Sequence, residues 1–163
     1  MKKFLLALIM SSFAITSANA ATKLEGVAPD FTLPSNKNEN IRLAEQRGEV
    51  IMINFWASWC GPCRQEMPIL DELYSKYSRA GFKILGVNVD ANVDDANKAL
   101  KKIPVTFPVL FDTENKISEL YDVSAMPTTI MIDRNGKMRY LHKGYKPGYE
   151  EDYRKQIQEL IRE

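Results

Sequence analysis

The stretch VIMINFWASWCGPCRQEMP, residues 50–68, sets an unbroken apolar run, Val50 to Trp56, directly ahead of both cysteines of the chain, Cys60 and Cys63. The run shows no alternation of polar and apolar positions, which marks a strand buried on both faces. Beyond it Met67, Leu70, Leu73, Tyr74 and Tyr77 recur at helical spacing. A helix is therefore predicted from Cys60 to about Tyr77, with Pro68 kinking its first half and Gly81 closing it. Two thiols stand where a strand hands over to a helix.

Outward from this stretch the chain keeps alternating. Lys83 to Asp90 reads as a second buried strand, Val93 to Lys102 as a helix, and Pro104 and Pro108 as a break, which makes a βαβ unit. Short extended pieces are expected around Phe31–Leu33 and Ile41–Leu43. Val109–Phe111 is a short strand, Lys116 to Tyr121 a short helix and Thr128 to Asp133 a long strand. Asn135-Gly136 is expected to turn that strand into Lys137–His142, both residues tolerating the positive φ of a two-residue hairpin turn. In the closing helix, Tyr149, Tyr153, Ile157, Leu160 and Ile161 form one apolar stripe, a core face rather than a cofactor site. Without a repeat or an interdomain linker, the pattern is that of one α/β domain with a mixed sheet.

Residues 1–20 read differently. Lys2 and Lys3 precede an apolar run from Phe4 to Ile15 that ends at Ala18-Asn19-Ala20, a small-x-small cleavage signal, so a secretory signal peptide is expected. The run holds about 12 residues against the ~20 that span a bilayer. The expected mature domain is 21–163, soluble and monomeric, with no cysteine at the cleavage site to take a lipid. Charge excludes a polyanionic partner: the formal net charge is +1, and Lys98, Lys101 and Lys102 are interleaved with Asp94 and Asp95 as a solvated helix face. No nucleic acid is expected to bind.

What the cysteines are for is narrowed by elimination. A disulfide closing so short a loop stabilises by only ~2 kcal/mol, against ~4.7 for a 100-residue loop, which is poor use of a staple. A structural zinc site needs four ligands, and beside the two cysteines there is one histidine, His142. A dithiol cycling with its disulfide remains, needing no metal and no other cofactor. Cys60, at the helix N-terminus, is the expected nucleophile because the N–H groups there favour a thiolate. Cys63, one turn in, is the expected resolving thiol, while Gly61 and Pro62 shape the turn between them. Glu66, three residues on and on the same helix face, is either a proton acceptor for Cys63 or an ordinary solvated glutamate. Asn54 either orients a hydrogen bond beneath the site or serves a strand edge.

WCGPC after a hydrophobic strand, with MPTTIMID before an Asn-Gly hairpin and a final helix, resembles the thioredoxin fold. More narrowly, residues 28–68, from APDFTL to QEMP, resemble the TlpA/ResA branch of periplasmic thiol–disulfide oxidoreductases. The resemblance implies a central mixed sheet flanked by helices, an N-terminal extension and a central α/β insertion between Asp90 and Met126. It matches Cys60 and Cys63 to the nucleophilic and resolving cysteines and Glu66 to the branch's active-site glutamate. Asn54 falls where cytosolic thioredoxins carry a buried aspartate. Pro127 matches a cis-proline facing the disulfide, which leaves the Met126 backbone free to pair with substrate. Trp59 belongs to the docking surface, and Trp56 is either core or partly exposed. Gly61-Pro62 is the dipeptide of reducing thioredoxins, so the implied direction is reduction of cysteine-containing partners such as apocytochromes c or metallochaperones. Electrons would come from a membrane donor of the DsbD or CcdA type. A peroxidase is the competing enzyme, because APDFTL is shared with peroxiredoxins, although these carry Thr or Ser where this chain has Ala57. A disulfide isomerase or a non-catalytic, chaperone-like binding protein is the remaining alternative.

Overall fold

A computed structural model describes residues 22–163; the expected leader and its cleavage site lie outside the described residues. The strands are β1 (Thr22–Lys23), β2 (Thr32–Pro34), β3 (Asn40–Arg42), β4 (Val50–Trp56), β5 (Phe82–Asn88), β6 (Val109–Phe111), β7 (Thr128–Ile132) and β8 (Met138–Lys143). The α-helices are α1 (Gly61–Tyr77), α2 (Val93–Lys102), α3 (Lys116–Leu120) and α4 (Tyr149–Arg162). Six strands form one sheet in the order β1-β8-β7-β4-β5-β6, and β2 and β3 form a separate hairpin. β4 runs parallel to β5 and antiparallel to β7, which makes the sheet mixed as expected.

The apolar run 50–56 becomes β4, and every one of its residues is buried. It is buried because both its flanks and both its faces are occupied. α4 packs on β4, α1 packs on β5 and on α4, and Phe55 on the other face meets Tyr121 with ring centroids 5.7 Å apart. Register then decides the site: Asn54 stands between Gly86 of β5 and Thr129 of β7, so these three positions share one face. Gly86 is required by close approach. A Cβ there would lie 2.8 Å from the ring of buried Phe107.

The extension and the insertion secure the two sheet edges. Residues 22–28 run along β8, with Leu24 N–H donating to Arg139 O (3.0 Å) and Met138 N–H donating to Gly26 O (2.9 Å). At the far edge Asn36 N–H donates to Val109 O at 2.8 Å, and its side-chain oxygen accepts Val109 N–H at 3.1 Å. The insertion supplies α2, β6 and α3. Asp112, following β6, accepts the N–H groups of Ile117 and Ser118 and so caps α3.

Two local expectations are corrected. The Asn135-Gly136 turn is not a two-residue turn with both φ positive. Gly136 is left-handed (φ 77°) and Asn135 is not, and Asp133 closes the loop with Gly136 N–H to Asp133 O (2.8 Å) and Asp133 N–H to Lys137 O (2.9 Å). This is a three-residue loop with a glycine bulge, favoured because the Asp133 carboxylate also accepts Asn135 and Lys137 N–H. Gly81 does not end α1 directly: the helix runs through Pro68 to Tyr77, and a 3₁₀ turn over Ser78–Ala80 follows before Gly81 turns left-handed at φ 88°.

Gly86→Ala is expected to destabilise the protein by about 1–3 kcal/mol through overpacking against Phe107, read as a lower urea midpoint at unchanged slope.

Candidate active site

Cys60 and Cys63 are joined in a disulfide at the start of α1. Cys60 is the N-cap, in extended conformation, and its Sγ accepts the Cys63 N–H at 3.2 Å. That contact is the structural form of the N-terminal stabilisation expected for a Cys60 thiolate. Gly61 and Pro62 open the helix, where the missing proline N–H breaks no intrahelical bond. Cys63 is fully buried and Cys60 shows a 4% exposed edge. The Cys60 edge is therefore the one an incoming sulfur reaches.

The preceding loop is held by all three polar atoms of Ser58. Its N–H and Oγ donate to the Asp90 carboxylate at 2.9 and 3.0 Å, and its carbonyl accepts Arg64 Nη1 at 2.8 Å. Asp90 is in turn fixed by the Asn88 amide at 2.8 Å. β4 and β5 thus both anchor the loop that presents Trp59, which is 67% exposed. Trp56 is core, wholly buried.

Glu66 lies beneath the disulfide helix turn with no exposed surface. The solvated-glutamate reading is thereby excluded. Its Oε2 accepts Asn54 Nδ2 at 2.8 Å and its Oε1 accepts the Tyr153 hydroxyl at 2.6 Å. Asn54 also donates to Thr129 Oγ1 at 2.9 Å. The strand-edge reading of Asn54 fails because β4 is central, and its side chain reaches across to α1. Burial pushes the Glu66 carboxyl up to about 7, against the opposing hydrogen bonds from Tyr153, Asn54 and Thr129.

The Met126-Pro127 peptide is cis. Thr128 opens β7 opposite Phe55, so residues 125–127 emerge at the same end of the sheet as the Cys60 loop. The segment is fixed by Gly144 N–H donating to Pro127 O (2.7 Å) and by Thr128 Oγ1 donating to Ala125 O (2.7 Å). Among the described residues, the N–H and C=O of Met126 take no hydrogen bond. His142 is remote from the cysteines in role: it is buried and bonded through Nε2 to Gln156 Oε1 at 2.9 Å. Among the described residues no cluster of three His, Cys, Asp or Glu could hold a metal ion.

Sequence reasoning missed Asp90, Thr129 and Tyr153 as parts of this site. Tyr153 was visible only as a member of the apolar stripe, whose spacing shows that it faces inward without showing where its hydroxyl ends. Asp90 and Thr129 are brought in by strand register, which a single sequence does not display.

A dithiol pair opening a helix at the end of a buried central strand, on a mixed sheet, defines a thioredoxin-fold redox protein. Comparison with known proteins narrows the class. The profile described as the AhpC/TSA family matches residues 24–141. The thiol-disulfide oxidoreductase ResA of Geobacillus kaustophilus is 37% identical over 124 residues, covering 76% of this chain and 71% of that protein. ResA of Geobacillus thermodenitrificans is 33% identical over 150 residues, covering 88% of this chain and 86% of that protein. A crystal structure from Chlorobium tepidum, provisionally described as the thiol:disulfide interchange protein DsbE, matches with a TM-score of 0.82 at 40% identity, covering 87% of this chain and 99% of that one. The chain belongs to the AhpC/TSA family and, within it, to the thiol–disulfide oxidoreductases of the ResA kind.

The buried carboxyl makes stability depend on pH with a defined sign. Unfolded, Glu66 ionises near 4.5; folded, near about 7. Between these values the folded state holds a proton that the unfolded chain has released, so stability falls as pH rises through the window, by up to roughly 3 kcal/mol. Glu66→Gln is expected to remove this component. In urea unfolding of the oxidised proteins, the variant should gain on the wild type between pH 5 and pH 8.

Proposed function

We propose that this protein reduces disulfides in partner proteins outside the cytoplasm. The observation that carries the reading is a disulfide at the N-terminus of α1 with Cys60 at its slightly exposed edge, and a wholly buried Glu66, three residues on from Cys63 in the same helix, poised near neutrality. The Gly61-Pro62 dipeptide supports the reductive direction.

In the reaction, the Cys60 thiolate attacks one sulfur of a substrate disulfide; that bond breaks, and the first substrate thiolate leaves and takes a proton from solvent. The Cys63 thiol passes its proton to Glu66 and attacks Cys60 Sγ. The mixed disulfide breaks, Cys60–Cys63 forms, and the second substrate sulfur leaves as a thiolate and takes a proton from solvent, while Glu66 returns its proton to solvent. Two electrons have moved from the dithiol to the substrate. Asn54 holds Glu66 from below. Trp59 and the free Met126 backbone beside Pro127 receive an extended substrate segment, the main chain giving affinity without demanding one sequence.

Apocytochromes c and metallochaperones are the class of substrate, proteins whose cysteines must be reduced before they take a haem or a metal. The chain works as a monomer in the periplasm, delivered by a signal peptide cleaved after Ala20. It is re-reduced by a membrane donor of the DsbD or CcdA type. The dithiol itself is the redox group, with no bound cofactor.

The reduction potential of the Cys60–Cys63 couple tests the direction. A value near the thioredoxin end, roughly −270 mV, is expected; one near −120 mV would make the protein an oxidant and overturn the reading. Cys60→Ser should abolish disulfide reduction, and Cys63→Ser should accumulate a mixed disulfide detectable by mass. Sustained peroxide turnover by the wild type would favour the peroxidase instead.

A further inference from the structure

The last helix reaches Glu66 as directly as the strand does. Tyr153 is fully buried, and the one polar atom of its side chain ends on Glu66 Oε1 at 2.6 Å. Its ring is confined. His142 meets it edge-on at a centroid distance of 4.8 Å, Tyr149 packs at 6.4 Å, and His142 is itself tied to Gln156 one turn further along α4. Asn54 grips the opposite carboxyl oxygen. The carboxyl is thus held at both oxygens by groups on different elements, and rotation about its terminal torsion would break both bonds.

The geometry points to Tyr153 as a positioning residue for thiol–disulfide exchange, fixing from α4 the carboxyl of Glu66, three residues on from Cys63 in α1. It touches neither sulfur, so it acts through Glu66, and the inference rests on Glu66 being the proton acceptor proposed above. The groups facing Glu66 are Asn54 on β4, Thr129 on β7 and Tyr153 on α4; Cys63 precedes it by three residues on its own helix. Tyr145, ahead of α4, feels the Glu66 charge, though its own burial acts on it more. His142 stands behind Tyr153, and its burial lowers its pKa against the opposing Gln156 hydrogen bond and the charge of Asp152. Burial first, and then the Glu66 charge, press the Tyr153 hydroxyl strongly toward its protonated form, so it remains a donor. A hydrogen bond to an ionised group is strong enough that losing it shifts the acceptor's pKa by about one unit or more.

The test compares wild type with Tyr153→Phe, which keeps the ring and removes the donor. The Glu66 carboxyl is titrated by carbon-13 NMR in the oxidised protein, assigned with Glu66→Gln. The reduced protein is mixed with dithiobis-nitrobenzoate, whose first coloured thiolate reports attack by Cys60 and whose second reports resolution by Cys63. In Tyr153→Phe the Glu66 titration should rise by about one unit. The second release at pH 7 should slow about fivefold and recover at higher pH, with the first release unchanged. Fluorotyrosine at position 153, a more acidic donor of nearly the same shape, should move the titration the other way, and it carries the test if Tyr153→Phe does not fold. An unmoved Glu66 titration in both proteins overturns the proposal and leaves Tyr153 a packing residue. A moved titration with an unchanged second release sustains the positioning role and instead removes Glu66 as the proton acceptor.

Discussion

A seven-residue strand with no exposed face constrains everything around it. β4 must have a partner strand on each side and a layer on each face, or its backbone groups and apolar side chains are left in water. That requirement fixes β5 and β7 as its neighbours, α1 and α4 as its cover on one face and the segment carrying Tyr121 as its cover on the other. It also makes a polar residue within the strand costly unless it is matched. The Asn54 Nδ2 group is matched, donating to Glu66 on α1 and Thr129 on β7, while its buried Oδ1 takes no hydrogen bond among the described residues. The redox site is thus assembled around the one polar position that the central strand carries.

The same logic explains why a buried carboxyl is tolerated. A glutamate wholly removed from water is driven toward its neutral form, and only donors aimed at it restore the charge. Here the donors come from β4 and α4, elements that lie far apart in sequence, and the balance falls near neutrality rather than at either extreme. Cys60 needs no such device, since the Cys63 N–H in the first turn of α1 already donates to its sulfur. In the proposed mechanism the two cysteines are served by different physics: a helix terminus for the attacking thiol and a buried acid for the resolving one.

Much of this was legible in the sequence. The period of the apolar residues marked α1 and α4, because periodicity records which side of an element is buried, and unbroken apolar runs marked β4 and β5. Cys60, Cys63 and Glu66 were legible because they lie within one helical stretch, where spacing translates directly into position. Tyr153, Thr129 and Asp90 were not, because each enters through contacts between elements whose register only the folded chain fixes. The hairpin after β7 was misread for a related reason. Asn-Gly favours a two-residue turn locally, but the Asp133 carboxylate gathers the N–H groups of Asn135 and Lys137 and stabilises a longer loop.

The segments that flank the core have a consequence for selectivity. Exposed sheet edges are indiscriminate templates on which any extended chain can nucleate, including another copy of the same protein. Here residues 22–28 run along β8 and Asn36 bonds β6, so at both ends the ladder terminates on the chain itself. The backbone at Met126 remains unpaired, a few residues from the sulfur pair by way of the β4–β7 ladder. On the reading proposed above, an unfolded polypeptide meeting this molecule would find its pairing opportunity at the place where its cysteines can react, and a sticky fold property would become a means of delivery.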